Sequence, residues 1–139
     1  MFKLLVYSGI RLDHAVDMFA NFDSSNLVVK DNIARYPIAV FSKGHKIAFW
    51  AYIPAQFAEE LERVEFNYNA AKTGIIVGRV SSLSIRKWHL NFMIENGVPE
   101  SVADFIQGRA SVTVGSTHYL HKTKQADQFY AKIVDKFPI

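Results

Sequence analysis

Apolar residues recur at helical spacing toward both ends of the chain, and the texture between them is that of strands. Residues 2–8, FKLLVYS, form a short apolar run stopped by Gly9 and predict a helix. Asp13 is placed to cap a second helix reaching about Phe22, with Ala15, Met18, Phe19 and Phe22 on one side. SSN at 24–26 reads as a turn. From Leu27 to Ile53 the runs LVV, YPIAVF and KIAFWAYI are rich in β-branched and aromatic residues. The glycine turn SKGH separates the last two. This predicts a small antiparallel sheet with a hairpin tip at 42–45. Pro54 suits the first turn of a helix through PAQFAEELERV. Residues 65–80 show no clear period. Ser81 or Ser82 can cap a helix to Asn96 closed by Gly97, and Pro99 opens another, PESVADFIQ, closed by Gly108. A polar stretch, 109–124, leads to a last helix at about 125–137, with Ala126, Phe129, Tyr130, Ile133 and Phe137 on one side. The fold class is α+β, mostly helical with a small antiparallel three-stranded sheet.

Composition narrows this further. With 139 residues, half of them apolar, the chain is read as one folded domain that needs no staples. There is no cysteine, hence no disulfide frame, thiol nucleophile or thiolate metal site. The net charge of +3 permits a polyanionic partner without demanding one. No apolar run approaches the ~20 residues of a membrane span, and the start MFKLLVYSG lacks the features of a signal peptide, so a cytoplasmic protein with no membrane partner is expected.

Several residues can carry chemistry. Arg11 stands two residues after Gly9, at a corner between helices, where a planar guanidinium can hold two oxygens of an anion or simply face solvent. Lys43 and Lys46 flank the hairpin tip, where an ammonium can protonate a leaving oxygen or merely keep the tip soluble. Arg86 and His89 share a helix face, while Ile85, Trp88 and Phe92 form another, core-like one. Tyr7, Tyr36, Tyr52 and Tyr130 have apolar neighbours and read as core; Tyr68, in NYN, reads as loop. Tyr119 differs, since His118, His121, Lys122 and Lys124 surround it in the polar stretch, and cations favour an ionised phenol and attract phosphate. No carboxylate cluster suits magnesium, and the histidines lack zinc spacing, so no metal is expected.

In order, YSGIRLDHAVDMF resembles the first arginine box of the tyrosine recombinases, the phage-type integrases and Xer-type resolvases. SKGHKIAFWAYIP resembles their hairpin lysine box, IRKWHLNFMIENGVPESVADFIQGR their second box, and STHYLH their nucleophile box. Four boxes in the family's order cover nearly the whole chain. The resemblance implies DNA integration through strand cleavage and rejoining, which conserves bond energy and needs no small-molecule cofactor. Arg11, Arg86 and Arg109 would hold the scissile phosphate, Lys43 (or Lys46) would act as general acid, and Tyr119 as nucleophile. Double-stranded DNA is the implied partner, with self-association on DNA into a tetrameric synapse. Two positions depart from the pattern. Leu83 stands where the family usually has a proton-transferring histidine, leaving His89 or His118 as substitutes. Arg109 replaces a histidine or tryptophan. Both departures are reminiscent of integrases of archaeal viruses and plasmids.

The chain begins ten residues before Arg11, so residues 1–139 are read as a catalytic domain without the family's N-terminal core-binding domain. Such a domain is expected to bind DNA weakly and to exchange or loosely dock its last helix. Three other readings stay open: a non-catalytic DNA-binding remnant, a type IB topoisomerase-like enzyme, and a helical interaction domain without nucleic acid.

Overall fold

A computed structural model describes residues 1–42, 47–75, 80–109 and 116–139. Helix α1 (Phe2–Ser8) buries Leu4 and Leu5 and ends at Gly9, whose φ of 65° is left-handed. Helix α2 (Leu12–Ala20) starts from Arg11, so Asp13 is not its cap. Asp13 lies inside the first turn, where its carboxylate suits the helix dipole and accepts from the Arg11 Nε–H at 3.2 Å.

Three strands follow: β1 (Val28–Lys30), β2 (Ile33–Pro37) and β3 (Trp50–Pro54), antiparallel in the order β1-β2-β3. Asp31, at φ 55°, makes the tight turn between β1 and β2. The expected strand YPIAVF stops early. Pro37 ends β2 because it has no N–H for the ladder, and Ala39–Phe41 winds into a 3₁₀ turn. The predicted tip at 42–45 lies, apart from Ser42, outside the described residues.

The helix expected over 54–64 shrinks to one turn, α3 (Ala55–Ala58). Beyond it the chain extends along α2: the Val64 N–H donates to the Phe19 carbonyl at 3.1 Å, and Phe66 meets the Phe19 ring edge-on. These contacts replace helix bonds in a stretch where Glu59, Glu60 and Glu62 would crowd like charges. The unassigned region holds α4 (Tyr68–Gly74), capped by the Asn67 side chain accepting from the Ala70 N–H; Tyr68 is therefore helical and not in a loop.

Helices α5 (Ser82–Glu95) and α6 (Glu100–Gln107) match expectation, with Ser81 as the cap of α5 and Gly108 closing α6 at φ 74°. The last helix, α7 (Ser116–Ile133), starts nine residues early and ends four early, so the polar stretch around Tyr119 is its first turns. It docks firmly on the chain's own core, against the expectation of loose docking: Ala126 and Tyr130 are fully buried, and the Tyr130 hydroxyl donates to the Tyr7 carbonyl at 2.8 Å. Among the described residues, no helix is long and apolar enough to cross a membrane.

Two glycines permit close approach. A Cβ on Gly9 would lie 2.3 Å from His89 Nδ1, and one on Gly108 would lie 2.4 Å from the Ala48 Cβ. Gly9→Ala combines left-handed strain with a clash against a buried ring. It is expected to destabilise the domain by at least about 2 kcal/mol, seen as a lower midpoint in urea unfolding. An unchanged midpoint would show that the corner does not need glycine.

Candidate functional site

Four elements meet at one open cleft. The α1–α2 corner contributes Arg11 and Asp13, α4 contributes Tyr68 and Lys72, α5 contributes Leu83 and Arg86, and the end of α6 leads to Arg109. Three arginines separated by up to 98 positions (109 − 11) thus line a single concavity, with Lys72 as a fourth cation and Asp13 as an acid beside them. This is an anion site by composition, because guanidinium forks match paired oxygens of a phosphate.

Each arginine is held differently. Arg11 is largely exposed and leans on Asp13. Arg86 is half-buried and donates from Nη1 to the Gly9 carbonyl at 3.1 Å. Burial, then the charges of Arg109 and Arg11, push its guanidinium down to about 10, against a smaller pull from Asp13; it stays charged at neutral pH. Arg109 donates from Nε to the Gln107 side-chain oxygen at 2.8 Å.

His89 cannot take the proton-transfer role left open at Leu83. It is fully buried, and both ring nitrogens are engaged, Nε2 with the Tyr7 carbonyl at 3.0 Å and Nδ1 with Gln107 at 2.8 Å. Burial pushes its pKa down to about 4, helped by Arg86 and opposed by the Tyr7 carbonyl. His118 is exposed beside Tyr119. Leu83 itself is 77% exposed at the cleft, where its side chain can neither donate nor accept. His14, next to Asp13, is buried, with an unpartnered Nδ1.

Tyr119 is not brought to the cleft. Its ring packs on Phe49, with centroids 4.5 Å apart, and near Trp50 and Phe105. Burial pushes its phenol up, while the Thr123 hydroxyl, the Arg35 charge and the Trp50 indole N–H oppose that shift. Below this cluster Arg35 pairs with Asp127 and lies 4.8 Å over the Trp50 ring, and Tyr52 donates to Asp127.

Lys43 and Lys46 lie outside the described residues. The base of their segment is closed by Ser42, whose hydroxyl accepts from the Ala48 N–H at 3.1 Å. Ala48 sits against Gly108, next to Arg109. Sequence reasoning missed Tyr68, Lys72 and Gln107. The first two come from the stretch without a period; Gln107 looks like an ordinary polar residue at a helix end. Trp88, expected in the core, is 38% exposed.

A sequence model of the archaeal phage integrases matches residues 1–136. The chain belongs to that family, which supports a role in site-specific DNA integration with DNA as partner. No curated protein matches the chain.

The buried histidines set a pH response. His89 and His14, both lowered chiefly by burial, are neutral in the fold, whereas the unfolded chain protonates them below about 6.5. The unfolded state then binds more protons, so stability falls as pH drops from about 6.5 toward 4. His89 alone contributes roughly 1.4 kcal/mol per pH unit. Urea midpoints at pH 7, 6 and 5 should decrease in that order; a flat series would contradict the buried neutral imidazole.

Proposed function

We propose that this member of the archaeal phage integrase family cleaves and rejoins double-stranded DNA through a 3′-phosphotyrosyl link at Tyr119. The convergence of Arg11, Arg86 and Arg109 on one cleft carries the reading, because only the fold brings these distant positions together. The scissile phosphate occupies the cleft, and its non-bridging oxygens take the guanidinium forks as charge develops in the transition state. The Tyr119 hydroxyl gives up its proton to water, its oxygen attacks phosphorus in line, the bond to the 5′ oxygen breaks, and that oxygen leaves with a proton from Lys43. A phosphodiester replaces a phosphodiester at each step, so bond energy is conserved and a different 5′ hydroxyl can reverse the link.

The phenol does not line the arginine cleft here, and burial disfavours its ionised form. Catalysis therefore requires the start of α7 to carry Tyr119 to a phosphate in its own cleft or in that of another copy on DNA. Assembly into a tetrameric synapse fits this requirement. Lys72 adds a charge to the same wall and is assigned to the DNA backbone. A non-catalytic DNA-binding remnant is the second reading, favoured by Leu83 at the cleft and by a cleft lining that does not include Tyr119.

A nicked suicide DNA substrate separates the two readings, since only the enzyme leaves a covalent adduct visible on a denaturing gel. Tyr119→Phe is expected to abolish the adduct while DNA binding stays nearly intact. Arg11→Ala and Arg86→Ala should each slow adduct formation by about 10² to 10³. Lys43→Ala should recover on a 5′-bridging phosphorothiolate, whose sulfur leaves without a proton. Rescue of Lys46→Ala instead would move the acid to that lysine. Adduct surviving in Tyr119→Phe would turn attention to Tyr68, which lines the cleft; Tyr130 is fully buried.

Lys72→Ala should weaken binding to all duplexes alike and lower the salt slope by about one, measured by fluorescence anisotropy across salt. An unchanged slope would remove Lys72 from the DNA contact.

A further inference from the structure

We propose that Gln107 is a positioning residue that fixes Arg109 in the anion cleft, and that His89 locks the Gln107 amide in the orientation this needs. The part of this that concerns strand cleavage rests on the function proposed above; the hydrogen-bond geometry does not.

The chain of contacts begins at Tyr7. Its backbone carbonyl can only accept, so His89 Nε2, at 3.0 Å, carries the ring proton. His89 Nδ1 is then a bare acceptor, and it faces Gln107 Nε2 at 2.8 Å. The same nitrogen donates to the Arg86 carbonyl at 2.9 Å. Both amide protons are thereby assigned, and the amide oxygen must face the other way, where it accepts from Arg109 Nε at 2.8 Å. A flipped amide would set oxygen against a carbonyl and a nitrogen lone pair, and N–H against N–H. Three contacts decide the orientation together. His89 and Gln107 are 0% and 1% exposed, so water cannot replace a missing partner.

The choice of an amide has a chemical consequence. A carboxylate in that place would orient Arg109 but also neutralise part of its charge. An amide oxygen holds Nε and leaves the positive charge and the terminal nitrogens available to an anion. The same amide donates to the backbone carbonyl of Arg86, which helps to fix the amide, while the Arg86 guanidinium is held separately by the Gly9 carbonyl. The neutral imidazole behind it, unprotonated at neutral pH, adds no competing charge.

The test compares Gln107→Met, which keeps the volume and loses the acceptor, with Gln107→Glu, which keeps an acceptor. In wild-type protein, nitrogen-resolved NMR should find the Arg109 Nε–H slow to exchange with water. Gln107→Met should speed that exchange by about tenfold or more, as expected for one lost hydrogen bond, with Arg11 unaffected. Gln107→Glu should keep it slow. On the suicide substrate both variants should reduce the adduct, and neither should reduce it further in an Arg109→Ala background, because a residue acting only through Arg109 has nothing left to act on. Unchanged Arg109 exchange in Gln107→Met, or losses that multiply with Arg109→Ala, overturns the proposal. Should Gln107→Met not fold, Gln107→Glu decides by the same two measurements: fast Arg109 exchange or a multiplying loss overturns the proposal. A wild-type protein without adduct overturns the cleavage reading instead, and the exchange measurement then still judges the brace.

Discussion

The site depends on a buried imidazole pressed against a glycine. His89 occupies the volume where a side chain on Gly9 would lie, and Gly9 holds a backbone angle that disfavours side chains. This lets α1 end, turn and pass closely over α5. The corner then delivers Arg11 two residues later, while the Gly9 carbonyl holds Arg86. One close approach thereby ties two of the arginines to the same frame, and the amide of Gln107 extends that frame to the third. Arg86 and Arg109 donate here to neutral groups, so these two cations are oriented without being cancelled, whereas Arg11 leans on the Asp13 carboxylate.

Gathering like charges has a cost. Arg86 feels both burial and its two cationic neighbours, and its proton affinity is lowered accordingly. With Asp13 as the only acid on the cleft wall among the described residues, the charges are left for an external anion to balance. This explains how a protein of modest net charge can present a strongly positive site: the charge is local. Backbone phosphate of DNA is the natural counterpart.

The aromatic side of the molecule obeys a different logic. Tyr119 is held by Phe49, Trp50 and Phe105, on a sheet edge stiffened by the Arg35–Asp127 pair and the Tyr52 hydroxyl. Such a setting orders the phenol but keeps it protonated. The neighbouring cations that the local sequence suggested as its activators, His118 and Lys122, are carried on α7 with it and do not constitute the arginine cleft. Under the proposed function, the ordered phenol and the arginine cleft meet through movement of α7 or through a second copy.

The sequence determined the elements whose signals are local. The glycine stops after α1 and α6, the serine cap of α5 and the strand texture of 27–53 depend on neighbours a few residues away, and these were legible. Family boxes also pointed to Arg11, Arg86 and Arg109 before any geometry, and the fold brings those three to one cleft. The sequence signals misled where a distant partner took over. Helix 54–64 gave way to an extended run because α2 offered its backbone, and the polar start of α7 is helical although its sequence lacks a continuous apolar stripe. Lys72 and Tyr68 joined the cleft only because α4 packs beside α2. His89 looked like a spare base, yet tertiary packing withdrew it from solvent and occupied both nitrogens. Local pattern states what a residue can do, but burial and partner geometry, which are sums over the whole fold, decide which of those capacities survives.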